Sequence, residues 1–131
     1  LGADTYRIQA KQPYTSEDLN WHNNSSRANR EQEDNNSRPE FAGQLPDLTK
    51  YDRILIGHPT WWGIPPRIIN TVIEKLDLGE KEVATFSTSG GSTYDQAQKV
   101  MDELIGSDVK PGRVLSSKKD VENWLRDINF K

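Results

Sequence analysis

Two adjacent tryptophans, Trp61 and Trp62, are the side chains of this sequence best suited to holding a flat ligand. They follow a short apolar run at residues 54–56, typical of a strand buried on both faces, and lie between Pro59 and Gly63. Proline stiffens a loop and glycine lets it turn, so this segment can present indole rings at the end of a strand. Both rings could instead cap the core. Adjacent residues of an extended chain point in opposite directions, however, so we expect one ring to face solvent or a ligand.

A second loop, residues 88–92, combines hydroxyl side chains with a glycine pair. It directly follows another predicted strand at residues 81–87 and leads into a predicted helix. The carboxyl ends of neighbouring parallel strands lie at one edge of a sheet, where the helices that follow present unpaired N–H groups. A glycine–serine turn alone is commonly a plain loop. Together with the tryptophan loop, it predicts a site for a planar ligand between the two loops.

Other residue types with catalytic potential lack the partners that catalysis requires. His58 lies beside the tryptophan loop, but no acidic partner is identifiable, so a structural role at the strand end is favoured over proton donation. His22 falls in a polar segment and is expected to be solvated, and Ser89 has no nucleophile-elbow setting. No spacing of histidine and carboxylate residues suggests a metal site. The sequence therefore predicts neither a catalytic side chain nor a bound metal.

The composition describes one domain whose polar residues are concentrated near the N-terminus. The 131 residues carry a net charge of -3 with both signs interspersed, so no basic region indicates binding to nucleic acid or to an anionic membrane. No run of about 18 apolar residues indicates a membrane span. Cysteine is absent, which excludes disulfides, thiol catalysis and thiolate metal sites and is compatible with the cytoplasm, the location that we expect.

The N-terminal part predicts little regular structure. Residues 5–9 alternate polar and apolar side chains and predict a short strand, with Tyr6 and Ile8 on one face. Residues 15–39 form a polar surface segment, in which a possible capping box at residues 15–18 predicts a loosely packed helix that extends to about residue 34. A mobile loop is the alternative for this segment, because its apolar residues are sparse.

Strand and helix patterns alternate in the C-terminal part. Pro111 and Gly112 interrupt the last strand, which is therefore expected at an edge of the sheet. Helical spacing of apolar residues follows each strand, and Ser117 can cap the last helix. Such alternation predicts a parallel sheet with helices on its faces, joined by right-handed crossovers. The predicted strands of this part occupy residues 53–57, 81–87 and 109–115.

The two loops resemble the second and third cofactor loops of flavodoxin-like FMN proteins. The resemblance runs from about Gly2 to the C-terminus and is most specific over residues 51–92. It implies a flavodoxin-like parallel sheet with helices on both faces, a three-layer α/β/α fold, in which the FMN ring lies between the loops against an aromatic side chain. By this resemblance, the residues around the ring are Pro59, Thr60, Trp61, Trp62 and Gly63. The residues that reach its polar edge or the ribityl chain are Thr88, Ser89, Gly90 and Gly91.

The opening of the sequence departs from the flavodoxin pattern. Proteins of that type begin with a central strand and a loop rich in serine, threonine and glycine that binds the FMN phosphate. Neither is recognisable here, because the first residues, Leu1 and Gly2, resemble the end of a helix. We therefore expect residues 1–131 to form a single flavodoxin-like domain from which one strand–helix unit, on the order of 30 residues, is absent.

The resemblance implies a flavoprotein of redox metabolism and leaves three functions open. The first is an FMN-binding electron carrier that serves a redox partner protein or a small quinone-like acceptor, as a monomer or a homodimer. The second is an FMN-dependent NAD(P)H:quinone-type oxidoreductase, in which the substrates share the open face over the tryptophans. The third is a flavin-free interaction module that keeps the fold. We favour the electron carrier over the oxidoreductase. Whether the protein is an enzyme is left open.

Overall fold

The computed structural model describes residues 4–79, 81–88, 93–106 and 109–130. The chain folds as two compact units, Leu1–Asp47 with Arg67–Leu76, and Leu48–Pro66 with Asp77–Lys131. None of the helices in the described ranges is both long and apolar enough to cross a membrane. In chain order the elements are α1 (Arg27–Glu33), β1 (Arg53–Pro59), α2 (Arg67–Lys75), β2 (Glu82–Thr88), α3 (Asp95–Ile105), β3 (Lys110–Val114) and α4 (Lys118–Asp127).

The second unit contains a parallel sheet with the strand order β1-β2-β3. β1 pairs with β2 along its whole length, from Arg53 opposite Glu82 to Pro59 opposite Thr88. The register of β2 with β3 shifts between Ala84 and Phe86, because their partners Lys110 and Arg113 are three residues apart and β3 therefore contains one extra residue. The predicted parallel sheet is confirmed, and β3, whose proline and glycine predicted an edge position, lies at an edge.

Both faces of this sheet are covered within the second unit. Neighbouring residues of a strand point to opposite faces, as Thr85 and Phe86 do in β2. The Thr85 hydroxyl bonds to that of Tyr94, just before α3, whereas the Phe86 ring packs edge-on against Trp124 of α4 at a centroid distance of 5.6 Å. Trp124 is fully buried, and its Nε1 donates to the Pro111 carbonyl at 2.9 Å. The apolar core around α4 comprises Leu55, Ala84, Phe86, Leu115, Val121, Trp124, Leu125, Ile128 and Phe130.

The first unit contains α1 and α2, which a buried arginine connects. Arg67 begins α2, and its Nη2 donates to the Gln32 carbonyl at 2.8 Å and to Asn35 Oδ1 at 2.9 Å. Its Nε donates to the Glu31 carbonyl at 3.3 Å. The carbonyls at the end of a helix lack helical donors, so this guanidinium satisfies the C-terminal end of α1. Burial lowers the pKa of Arg67.

The structure corrects two predictions for the N-terminal part. The predicted strand at residues 5–9 is wrong, because this stretch contains no strand and the adjoining Ala10 makes only a single antiparallel bridge with Phe41. The predicted helix over residues 15–34 is wrong for most of its length, since only Arg27–Glu33 is helical.

Competing side-chain hydrogen bonds explain the shortened helix. The capping box does form, because Thr15 Oγ1 accepts from the Asp18 N–H and Asp18 Oδ2 accepts from the Thr15 N–H, both at 3.1 Å. Turns follow it, however, because the side-chain carbonyls of Asn20 and Asn23 accept from backbone N–H groups two residues later. The helix begins only where Ser26 supplies another N-cap.

Candidate ligand site at the carboxyl ends of β1 and β2

The tryptophan loop leaves β1 through a tight two-residue turn. The Trp61 N–H donates to the Ile64 carbonyl at 2.9 Å, and the Ile64 N–H donates to the Trp61 carbonyl at 3.3 Å. The two central residues, Trp62 and Gly63, have φ angles of 54° and 84°. Positive φ at both central positions is the mark of a type I′ turn. Two hydrogen bonds therefore fix the backbone that carries both indoles.

The two indoles differ in their exposure, as the sequence predicted. The Trp62 side chain is 61% exposed, whereas Trp61 is half-buried. A left-handed backbone costs a residue with a bulky side chain about 1–2 kcal/mol, and strained residues of this kind cluster at functional sites. Burial of Trp62 offsets little of this strain, because most of the residue is exposed. A strained and exposed indole is the strongest candidate for contact with a ligand.

The turn is in contact with the beginning of α3. A Cβ atom built on Gly63 would lie 2.4 Å from Gln96 Oε1, so the carboxamide occupies the space that any side chain at residue 63 would need. Gln96 is exposed and is the second residue of α3. Sequence reasoning missed Gln96, because the contact joins two residues that are distant in the chain and neither belongs to a recognisable motif.

The predicted site residues that the structure describes lie at one edge of the sheet. Pro59 and Thr88 are direct partners across the pairing of β1 and β2, and both are exposed. Thr60 and Gly63 are half-buried in the loop that follows Pro59. The structure thus brings the tryptophan loop to the residue at which the second loop begins. The remaining predicted residues, Ser89, Gly90 and Gly91, lie outside the described residues.

A row of buried polar side chains lies at this end of the sheet. His58 Nε2 lies 2.8 Å from the Tyr94 hydroxyl, which in turn lies 2.6 Å from Thr85 Oγ1. His58 Nδ1 lies 2.8 Å from the Pro59 carbonyl. Burial lowers the pKa of His58 below its ordinary value of 6.5, so the imidazole is neutral at pH 7. Burial also raises the pKa of Tyr94 to about 12, although its hydrogen bond with Thr85 acts in the opposite direction.

The buried row agrees with the structural role expected for His58. Both ring nitrogens have partners, and neither partner is a carboxylate. Sequence reasoning missed Thr85 and Tyr94, because their hydrogen bonds depend on how α3 packs against the sheet. Their residue types carry no local signal of that packing.

Two more polar features occur near the same edge. Ser87, the partner of His58 across the two strands, has a buried Oγ without a hydrogen-bond partner among the described residues. The Tyr94 side chain does not cap α3, so the first N–H groups of this helix are left for other acceptors. The N–H groups at the start of α3 suit a ligand with a polar or anionic edge, whereas Ser87 is completely buried. Within the described ranges, no group of histidine and carboxylate side chains could hold a metal ion.

An aromatic turn at the carboxyl edge of an open parallel sheet, next to a helix N-terminus, is a ligand-binding arrangement of doubly wound α/β proteins. A family model described as Flavodoxin matches residues 1–128. The chain therefore belongs to the flavodoxin family, and the resemblance seen in its loops is confirmed. A comparison with curated proteins finds no match.

Solved structures from two Bacteroides species are similar to this chain. A protein from Bacteroides eggerthii, described as a "putative flavoprotein", is 40% identical with a TM-score of 0.88, over 96% of this chain and 81% of that one. A protein from Bacteroides uniformis with the same description is 40% identical with a TM-score of 0.86, over 92% of this chain and 80% of that one. These similarities confirm the flavodoxin-like, three-layer α/β/α fold class.

Proposed function

We propose that this protein binds FMN and transfers electrons. The observation that carries the proposal is the type I′ turn that holds Trp62 exposed at the end of β1, beside the end of β2 at Thr88. The flavodoxin family and the descriptions of the two Bacteroides proteins support a flavin as the ligand. The flavin supplies the redox chemistry, so the protein needs to contribute binding and electrostatics rather than a reactive side chain.

The residues at this edge of the sheet suit an isoalloxazine ring. The faces of the ring are flat and aromatic, so they gain from stacking on the exposed indole of Trp62 or the half-buried indole of Trp61. The pyrimidine edge carries polar atoms, which the Thr88 hydroxyl and the backbone at Gly63 can bond. The uncapped first turn of α3 offers further N–H donors.

Each residue of the turn then has a separate task. Trp62 covers the ring and limits its contact with water, while the backbone of Gly63, whose missing side chain makes room for Gln96, can bond the edge of the ring. His58 stays neutral, which keeps a positive charge away from the ring. Bound FMN supplies one- and two-electron transfer.

An electron carrier is the first candidate, and an FMN-dependent NAD(P)H:quinone-type oxidoreductase is the second. The 61% exposure of Trp62 supports the oxidoreductase as a second candidate, because a nicotinamide or a quinone can also stack on an exposed aromatic face. As a carrier, the protein would work in the cytoplasm with a redox partner protein or a small quinone-like acceptor, as a monomer or a homodimer. A flavin-free interaction module of the same fold is the outcome if no flavin binds.

Titration of the purified protein with FMN, followed by quenching of flavin fluorescence, tests the proposal. Joint replacement Trp61→Ala and Trp62→Ala is expected to weaken binding about 100-fold, or about 3 kcal/mol, because two aromatic faces are lost. Trp21→Ala is the matched control, since it removes another exposed indole, 58% exposed, from the other unit and should leave the affinity unchanged.

The outcomes separate the candidates. A wild-type protein that does not quench FMN fluorescence contradicts flavin binding and leaves the interaction module. Unchanged affinity in the double variant contradicts stacking on the tryptophans. Rapid oxidation of NAD(P)H by the FMN-loaded protein with a quinone identifies the oxidoreductase, whereas slow oxidation identifies the carrier.

A further inference from the structure

The hydrogen bond between His58 and Tyr94 connects the two segments that carry the proposed flavin site. His58 directly precedes Pro59, where the tryptophan loop leaves the sheet. Tyr94 directly precedes α3 and follows the second loop, which begins at Thr88. Both side chains are buried, and the contact between them is 2.8 Å long. The starting point of one loop is therefore held by a residue beyond the other loop.

The partners of His58 determine which ring nitrogen carries the proton. A backbone carbonyl only accepts hydrogen bonds, so the contact with Pro59 places the proton on Nδ1. In the neutral ring Nε2 is then an acceptor, and it receives the hydroxyl proton of Tyr94. The Tyr94 hydroxyl has a single proton, so with that proton on His58 its 2.6 Å contact with Thr85 Oγ1 is formed by the threonine hydroxyl as donor. This assignment gives the row one direction, from Thr85 through Tyr94 and His58 to the Pro59 carbonyl.

Tyr94 is firmly held along one edge of its ring. A Cβ atom built on Gly112 of β3 would lie 2.2 Å from Tyr94 Cε2, so the ring fills the space beside this glycine. The Gly112 N–H donates to Oε1 of Gln98 in α3 at 2.6 Å, which fixes the strand beside the ring. The hydroxyl therefore has a defined position, because the ring that carries it cannot shift without displacing β3.

We propose that Tyr94 is a positioning residue of the flavin site, whose hydroxyl holds the His58 ring in the orientation in which Nδ1 faces the Pro59 carbonyl, and so sets the direction of the tryptophan turn. This inference rests on the proposed flavin function. Without the hydroxyl, the buried Nε2 loses its partner, and the imidazole is free to turn Nδ1 away from Pro59. The carbonyl then loses its donor, and the turn that presents Trp62 loses its fixed starting point.

Tyr94→Phe tests this role, because it removes the hydroxyl and keeps the ring. We expect the FMN affinity, measured by fluorescence quenching, to fall at least about 10-fold. NMR of the imidazole should show an Nδ1–H signal with the shift of a hydrogen-bonded proton in the wild type, and loss of that hydrogen-bonded signal in the variant. Tyr6→Phe is the matched control, because the Tyr6 hydroxyl donates to the Gln44 carbonyl at 2.7 Å in the other unit. It should change neither measurement.

Thr85→Val distinguishes positioning from the general loss of a buried hydrogen bond. It leaves the Tyr94 hydroxyl bonded to His58, so the hydrogen-bonded Nδ1–H signal should persist and the affinity should fall less than in Tyr94→Phe. Equal losses in the two variants, or wild-type affinity in Tyr94→Phe, overturn the proposal. If Tyr94→Phe does not fold, loss of the hydrogen-bonded Nδ1–H signal in Thr85→Val overturns it and persistence supports it. A wild type that binds no FMN removes the proposed function, while the NMR comparison still tests control of the His58 ring.

Discussion

Gly63 and Gln96 meet so closely that the glutamine carboxamide takes the place of a side chain at residue 63. A Cβ atom on Gly63 would lie 2.4 Å from Gln96 Oε1, and the same glycine has a φ angle of 84°. The backbone conformation therefore favours glycine at this position, and the carboxamide of the exposed Gln96 adds a smaller constraint.

Gly63→Ala is expected to destabilise the fold by the backbone cost of about 1–2 kcal/mol plus a smaller cost for turning away the carboxamide of Gln96, an exposed and flexible side chain. Gly43→Ala is the matched control, since Gly43 has a φ angle of 80° with no atom within 4 Å of an added Cβ. Urea unfolding measures both losses. Adding Gln96→Ala to Gly63→Ala should bring its loss down to that of Gly43→Ala. Equal losses in the two single variants would show that the Gln96 contact carries no energy.

Trp62→Asn is expected to raise the free energy of unfolding by roughly 0.5–1 kcal/mol and to weaken FMN binding. Asparagine tolerates the left-handed conformation that strains tryptophan, and Asn129 adopts it in this chain with a φ angle of 63°. Urea unfolding and FMN titration test the two effects. Trp21→Asn, at an exposed indole with ordinary φ, should give neither. A Trp62→Asn variant that loses stability would contradict the strain assigned to this turn.

Gly57→Ala is expected to destabilise the second unit by about 1–3 kcal/mol through overpacking. A Cβ atom on Gly57 would lie 2.4 Å from Cζ of Phe86, whose ring is packed against Trp124 and cannot easily withdraw. A double-mutant cycle with Phe86→Leu, measured by urea unfolding, should show that alanine costs less once the ring is gone. Strictly additive losses would mean that Phe86 is not the group that excludes a side chain at residue 57.

The features of the fold that depend on local sequence were predictable. Ser117 was expected to cap the last helix, and its Oγ accepts from the Asp120 N–H at 3.1 Å. The spacing of apolar residues distinguishes strands from helices. Because strands and helices alternate along the chain, this local pattern was enough to predict a parallel sheet. The helix predicted over residues 15–34 is wrong for most of its length because the side chains of Asn20 and Asn23 accept from backbone N–H groups two residues later. The apolar pattern of a sequence carries no information on that competition.

The candidate site was predictable only in outline. Parallel strands end at a common edge, which is why Pro59 and Thr88 could be expected to lie side by side. The left-handed backbone of Trp62 could not be foreseen, because tryptophan rarely adopts it and the surrounding structure must impose it. The hydrogen bond of His58 with Tyr94 could not be predicted either, because it joins residues that are 36 positions apart and only tertiary packing brings them together.

Acidification is expected to destabilise the protein through His58. Its pKa in the folded state is lowered by burial from the ordinary value of 6.5, so the unfolded state binds more protons as the pH falls. The stability from the neutral ring is therefore complete above about pH 6.5 and is lost as the pH falls toward the lowered folded pKa.

Urea unfolding of the wild type and of His58→Asn, at about pH 7.5 and pH 5.5, measures the contribution of His58. Carboxylates also respond to acid, so the relevant quantity is the difference between proteins: the wild type should lose more stability than His58→Asn. His22→Asn is the matched variant for comparison, because it removes an exposed imidazole elsewhere in the chain. If His58→Asn and the wild type lose the same stability on acidification, the folded protein accommodates a charged imidazole at His58. In that case His58 Nε2–H donates to the Tyr94 hydroxyl, which donates to Thr85 Oγ1, and the change has no cost because each hydroxyl can donate as well as accept.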